Sequence, residues 1–216
     1  MKKIFYFILY RLILRSFLKI FVGVNFEINN AFKKASQCII VANHNSHIDT
    51  VAILASLPFH MLDKVHPVAA IDYFGKNKIS SFLSEFFVNA LLVERKSKEE
   101  VEEKSSKAID KMIAYLDKGE SLLIFPEGTR GEAGRNEKFK KGIAVLLTLR
   151  PKIPFIPIYL KDTGNALPKG DGMLVPYDSY VFVGSLTWIN PQSSIEEILK
   201  LVESSIFSLQ SRSGQI

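Results

Sequence analysis

The 216-residue chain is poor in cysteine, holding Cys38 alone, and it has one tryptophan and four histidines. A lone cysteine excludes an internal disulfide framework, and nothing in the sequence requires an oxidising compartment. No low-complexity tract and no internal repeat occurs. Long uncharged runs are missing as well: no window reaches about 18 uncharged apolar residues, which argues against a simple membrane-spanning helix. Acid is missing from the start of the chain. Lys2, Lys3, Arg11, Arg15 and Lys19 all precede Glu27, the first acidic residue.

What is present is a globular balance, 47% hydrophobic and 23% charged, enough for one domain with a substantial core. The net charge of +6 and a sequence pI near 9.3 favour anionic partners: phospholipid surfaces, acyl-CoA or nucleic acid. The early bases are interleaved with Phe, Ile, Leu and Tyr, which favours a membrane surface over nucleic acid. Residues 1–24 read as an amphipathic helix with Arg11, Arg15 and Lys19 in one stripe, lying in a membrane interface with its bases toward headgroups.

The richest stretch is VANHNSHIDT, Val41 to Thr50. The short β-branched run before it suits a buried parallel strand, and Asp49 or Thr50 can cap the helix that follows. On one regular helix, residues five apart lie roughly 500° round, on nearly opposite faces, so His44 and Asp49 meet only across a turn. There, the carboxylate would fix the imidazole tautomer and leave the other ring nitrogen able to take a proton. Cys38 lies in the apolar run as a small core residue, and Ser46 lacks a G-x-S-x-G setting, so a substrate hydroxyl is left as the group to be activated. A metal reading would use His44, His47 and Asp49 as ligands.

The second stretch is SLLIFPEGTR, Ser121 to Arg130, an apolar strand that opens at Pro126 into Glu127, Gly128, Thr129 and Arg130. Gly128 permits close backbone approach, and Arg130 offers a planar fork of donors that matches phosphate. The basic run Lys138-Phe139-Lys140-Lys141-Gly142 follows.

NHNSHID followed by FPEGTR and FKKG resembles the glycerol-phosphate and lysophosphatidate acyltransferase family, over about Phe26 to Leu186. IPFIPIYL at Ile153 to Leu160 is similar to a further family block. NALLVER, Asn89 to Arg95, falls on another, with Arg95 retained and Asn89 and Leu92 departing from the usual glycine and aromatic. The resemblance implies transfer of an acyl group from acyl-CoA or acyl carrier protein to a lysophospholipid hydroxyl, foremost that of 1-acyl-glycerol-3-phosphate. It makes His44 the general base and Asp49 its orienting partner, with no covalent acyl-enzyme. Arg95, Glu127, Gly128, Thr129, Arg130, Lys140 and Lys141 become the substrate-binding set, and no metal or cofactor is implied. Its partners are a phospholipid surface, the lysolipid and the acyl carrier, at the cytoplasmic face of a membrane as a peripheral or monotopic protein. Rivals are acylation of another lysolipid, a membrane-bound metallohydrolase, and a non-catalytic membrane scaffold.

Alternating strands and helices predict a single α/β domain, residues 25–210, with a central mostly parallel or mixed sheet flanked by helices and a tail at 211–216. Expected strands include Phe26 to Ile28, Lys64 to Ala70, Ala90 to Val93, Ile153 to Leu160 with Pro154 and Pro157 favouring its ends or an edge, and Tyr180 to Val183. Expected helices include Ile79 to Phe87, one opened by a Ser97–Glu100 capping box and ended by Gly119, Gly142 to Leu149, and a last one capped by Ser194 and Glu197. The site groups then fall at strand C-termini, where open α/β sheets bind ligands.

Overall fold

The structure, a computed structural model, describes residues 2–27, 30–70, 89–93, 101–131, 137–167 and 173–214. Ile28, the expected helix Ile79 to Phe87, Arg95 and the Ser97–Glu100 capping box lie outside the described residues. Among the described residues, seven strands form one sheet: β1 Val24–Phe26, β2 Ile39–Ala42, β3 Val65–Ala70, β4 Leu91–Val93, β5 Ser121–Ile124, β6 Phe155–Lys161 and β7 Ser179–Val183. Their order across it is β1-β7-β6-β2-β5-β3-β4. Strands β2 to β6 run parallel. Strand β7 is antiparallel to β6, and β1 is parallel to β7. This is the mostly parallel, mixed sheet that the alternation predicts.

Alternate side chains of the central strands feed two apolar layers, as a period of two requires. Ile40, Ala42, Leu123, Ile156 and Ile158 join one layer, with the N-terminal helix and the helix Asp49–Ser56. Ile39, Val41, Leu122 and Phe155 join the other, with the helices Val101–Leu116, Gly142–Leu149 and Ile195–Phe207. Both layers are dry at β2, whose four residues are all buried. Local signals end the elements where the sequence places them. Gly119 (φ 82) stops the helix Val101–Leu116. Ser194 and Glu197 close a reciprocal capping box, Glu197 N–H to Ser194 Oγ at 3.2 Å and Ser194 N–H to Glu197 Oε2 at 2.8 Å.

Strand β6 is central, not at an edge; Pro154 falls just before its start, as expected of a strand end, while Pro157 lies within it. Pro157 loses only a bond at the margin of the sheet ladder: β7 pairs with β6 from Ile158 onward, and Pro157 sits opposite Gly184, whose N–H donates to the Pro157 carbonyl at 2.8 Å. A Cβ at Gly184 would lie 2.5 Å from Pro157 Cγ, so glycine permits that close approach. In β3 the partner changes at the proline: Val65 to Pro67 pair with β5, Val68 to Ala70 with β4. The 211–216 tail begins in a 3₁₀ run, Ser208–Gly214, where Arg212 Nη1 meets Glu27 Oε1 at 3.1 Å.

Residues 2–22 wind as one helix, with α turns at Lys2–Tyr6 and Arg15–Phe17 and π turns at Phe7–Leu14 and Leu18–Val22, ended by Gly23 (φ 85). Tyr6, Tyr10, Leu18 and Val22 are buried against the sheet layer. Of the basic stripe, expected to face headgroups, Lys19 is exposed while Arg11 and Arg15 turn inward. Arg15 Nη1 donates to the Ala55 carbonyl at 3.0 Å and Arg11 Nη1 to the same oxygen at 3.4 Å, with the Arg15 guanidinium 4.1 Å from the Phe26 ring centroid. The physical reason is the C-terminal end of the helix Asp49–Ser56, whose last carbonyls have no intrahelical donors and favour cations. The outer face instead carries Ile4, Phe5, Ile8, Leu12, Ile13, Phe17, Ile20 and Phe21, all exposed. Among the described residues no helix is long and apolar enough to cross a membrane.

Candidate active site

Parallel pairing of β2 with β5, Ile39 to Leu122 through Val41 to Ile124, makes the two signature turns leave the sheet side by side. From β2 the chain passes Asn43, whose side chain donates to the Leu160 carbonyl at 2.9 Å and accepts from the Leu160 N–H at 2.7 Å, joining the turn to β6. His44 and Asp49 then face each other across the turn. Asp49 is the first helical residue rather than a cap, and its carboxylate points back: Oδ2 takes the N–H of Asn45 at 2.7 Å and of Ser46 at 2.8 Å, and lies 2.9 Å from His44 Nδ1. Asp49 is fully buried, and its Oδ1 has no partner among the described residues. Two backbone amides fix the carboxylate and the carboxylate fixes the ring, so Nδ1 carries the proton and Nε2 is left basic. The His44 ring also stacks on Phe125, centroids 4.0 Å apart, and remains partly exposed.

Ser46 is a structural hydroxyl. It is fully buried and donates to the Leu167 carbonyl at 2.9 Å, tying the turn to the segment after β6. Burial pushes the Cys38 thiol up to about 12, so this cysteine is core.

The FPEGTR turn comes up beside His44. Gly128 adopts φ 70 and its N–H closes the turn onto the Phe125 carbonyl at 3.0 Å, while the Gly131 N–H donates to the His44 carbonyl at 2.9 Å. Glu127 faces inward at 3% exposure, its Oε1 accepting the His44 N–H at 3.1 Å and its Oε2 without a partner among the described residues. Burial pushes the Glu127 carboxyl up to about 8; the His44 N–H opposes the rise, and the carboxylates of Asp49 and Glu137 add to it. At neutral pH Glu127 is therefore chiefly an uncharged acid supporting the main chain of His44. Thr129 is exposed on the same turn.

Arg130 Nη1 donates to His47 Nε2 across the two turns. Burial, then the Arg130 guanidinium and His44, lower the His47 pKa against the pull of Asp49, keeping His47 a neutral acceptor. A guanidinium beside His47 is unfavourable for a metal cation at the same place, and no group of three His, Cys, Asp or Glu residues converges among the described residues. The remaining histidines lie elsewhere, His60 at the Ala35 carbonyl and His66 between the Asn89 carbonyl and Glu120. Lys140 folds over the turn: its N–H donates to the Pro126 carbonyl at 2.9 Å, and a Cβ on Gly128 would lie 2.4 Å from Lys140 Nζ. Lys141 turns outward to Glu196 at 3.2 Å, both exposed. Of the expected set, His44, Asp49, Glu127, Gly128, Arg130 and Lys140 are thus brought together, Lys141 is not, and Arg95 lies outside the described residues. Asn43 and Phe125 open the two quoted motifs, NHNSHID and FPEGTR, but the sequence assigns neither a role. Their only signal is position, each directly after an apolar strand as the first residue of a motif.

At one edge of this α/β sheet a partly exposed imidazole is held by a buried carboxylate, with the cationic side chains of Arg130 and Lys140 on the adjoining segments. The Acyltransferase family profile matches residues 23–161, well over half of the chain, and the chain belongs to that family. It is 30% identical over 160 residues to human 1-acyl-sn-glycerol-3-phosphate acyltransferase beta, covering 67% of this chain and 49% of that protein. It is 30% identical over 134 residues to the 1-acyl-sn-glycerol-3-phosphate acyltransferase of Borreliella burgdorferi, covering 61% and 48%. The chain therefore spans about half the length of these curated relatives. In fold it is similar to the crystal structure of the 1-acyl-sn-glycerophosphate (LPA) acyltransferase PlsC from Thermotoga maritima, with a TM-score of 0.70 and 23% identity over 93% of this chain and 78% of that one.

Proposed function

We propose that this chain is an O-acyltransferase that moves a fatty acyl group from a thioester, acyl-CoA or acyl carrier protein, to the free hydroxyl of 1-acyl-glycerol-3-phosphate, giving phosphatidate. One observation carries the reading: Nδ1 of His44 is engaged by buried Asp49 at 2.9 Å, while Nε2 has no hydrogen-bond partner among the described residues, at the edge where Arg130 and Lys140 stand. The relatives named for 1-acyl-sn-glycerol-3-phosphate support this acceptor.

In the proposed reaction the acceptor hydroxyl gives its proton to His44 Nε2 as its oxygen attacks the thioester carbonyl carbon. The C–O ester bond forms, the C–S bond breaks, and the proton passes from the imidazolium to the departing thiolate. Asp49 stabilises the transient imidazolium, since a charge-assisted bond strengthens when the ring becomes cationic. Arg130 and Lys140 hold the acceptor phosphate, and Gly128 lets backbone come close to it. Glu127 supports the His44 main chain. The exposed apolar face of residues 2–22 rests on the cytoplasmic leaflet of a membrane, from which the lysolipid is drawn.

The test is a panel of lysolipid acceptors offered to purified protein with labelled acyl-CoA and acyl carrier protein. Phosphatidate from lysophosphatidate, with one thiol released per ester formed, is the expected product. Acylation of a phosphate-free acceptor at an equal rate would refute the assignment of phosphate to Arg130 and Lys140.

A further inference from the structure

The N-terminal helix ends at the catalytic edge of the sheet, and a second apolar element meets it there. Strand β7 is antiparallel to β6 and β1 is parallel to β7, so Val24 and Ser179 both start at the edge where β2 and β5 deliver His44 and Glu127. Residues 173–177 lead into β7. Their backbone is pinned to the helix end: the Tyr177 N–H donates to the Val22 carbonyl at 2.9 Å, and a Cβ on Gly23 would lie 2.8 Å from the Tyr177 oxygen. Asn25 Nδ2 adds a bond to Asp178 Oδ1 at 2.8 Å. The segment is also pinned toward the site. The Val175 N–H donates to the Ala166 carbonyl at 2.9 Å, and the adjoining Leu167 carbonyl accepts from Ser46 of the His44 turn.

On this well-tied backbone Leu174 packs against the core layer, while Met173 (69% exposed), Val175 and Tyr177 face solvent. Ile20 (73%) and Phe21 (63%) face solvent at the neighbouring helix end. Apolar groups gathered this way on a soluble surface mark a contact, and a tyrosine at its margin suits a boundary between an apolar phase and water.

We propose that Met173, Val175 and Tyr177 form, with Ile20 and Phe21, a second lipid-inserting rim that seats the mouth of the catalytic crevice on the bilayer. This rests on the reading of the chain as a lipid acyltransferase. The occupant is a lipid leaflet rather than a second copy of the chain. A protein seated at the catalytic edge would cover the path of the acceptor, whereas a leaflet supplies it. Exposed Lys19 on the adjoining turn also complements anionic headgroups. The helix then lays its length on the surface, and the rim fixes which edge of the sheet looks into it.

The buried Cys38 makes the test direct, because a cysteine introduced at the surface is labelled alone. Val175→Cys carrying an environment-sensitive fluorophore, mixed with phosphatidylcholine–phosphatidylglycerol vesicles, should shift its emission to the blue and be quenched by brominated acyl chains. The same label at Glu203→Cys, exposed on the helix Ile195–Phe207, should do neither. A blue shift at Ile20→Cys without one at Val175→Cys overturns the rim and leaves the helix reading intact. No shift at either position overturns both, while phosphatidate synthesis from dispersed short-chain acceptor would still report on the proposed activity. In kinetics, the Val175→Asp/Tyr177→Asp double variant should lose roughly tenfold or more in rate on long-chain acceptor presented in vesicles and keep its rate on monomeric short-chain acceptor. Equal losses on both acceptors, or none, contradict the proposal.

Discussion

Asp49 makes its chemistry visible through what it is denied. A buried carboxylate offered two backbone amides and one imidazole has little freedom to rotate, and that rigidity holds His44 in place. Asp49→Asn should therefore keep the fold, since an amide oxygen in place of Oδ2 can still accept from Asn45, Ser46 and His44 Nδ1, yet lose much of the rate, because a neutral amide no longer stabilises the imidazolium. The check is kcat at saturating substrates beside a thermal melt. His47→Ala should cost much less than Asp49→Asn, and equal losses would show that His47 shares in the chemistry. Glu127 carries a pH signature of its own. Its carboxyl titrates near 4.5 unfolded and about 8 folded, so between those values the folded state holds a proton that the unfolded state lacks. Stability from this group is thus highest below pH 4.5 and falls as pH rises toward 8. Glu127→Gln keeps an acceptor for the His44 N–H without titrating, so urea unfolding between pH 5 and 8 should show a shallower decline than wild type; parallel profiles would contradict the buried neutral acid. The His44–Asp49 pair was legible because five-residue spacing across a turn is a local fact. The inward face of Glu127 was not, because its reason is the backbone N–H of His44, eighty-three positions earlier, in the turn after another strand.

At the scale of elements, the FPEGTR turn is built by two segments rather than one. Gly128 needs its positive φ, and the space above it is filled by the Lys140 side chain. Arg130→Ala and Lys140→Ala should each raise the KM for the phosphate-bearing acceptor more than for the thioester, by about tenfold or more, with Arg130→Lys restoring only part of the loss. Lys141→Ala should change little, since its ammonium meets Glu196 in solvent, where such pairs contribute weakly. An unchanged acceptor KM in both Arg130→Ala and Lys140→Ala places phosphate recognition elsewhere. The sequence revealed helices better than neighbours. Capping boxes, glycine stops and apolar periodicity are written locally, whereas strand order is not, so the prolines of β6 suggested an edge when the lost ladder bond falls just past the end of β7. The basic stripe misled for the same reason. Arg11 and Arg15 are bound by the carbonyl of Ala55, forty or so residues away, which no pattern within the helix announces.

For the whole molecule, the inward-turned arginines bear on what would hold it to a lipid surface in the proposed seating. If all five early bases faced anionic headgroups, they would supply about 5 kcal/mol at ~1 kcal/mol each, largely screened by salt; with Arg11 and Arg15 occupied, the electrostatic share is smaller. Inserting four or five of the exposed large side chains supplies roughly 6–15 kcal/mol, an upper range for a partly dry interface. The protein should stay with vesicles in high salt and leave in detergent, and quantitative release by salt alone would make the contact electrostatic. The proposed chemistry turns on the Nε2 ring nitrogen of His44. Its most direct test is single-turnover acyl transfer from a labelled thioester to lysophosphatidate by wild type and His44→Ala, with matched melting profiles and donor affinities. His44→Ala should bind the thioester normally and slow phosphatidate formation by about 10²–10⁴. Near-normal transfer by a folded His44→Ala protein would contradict it.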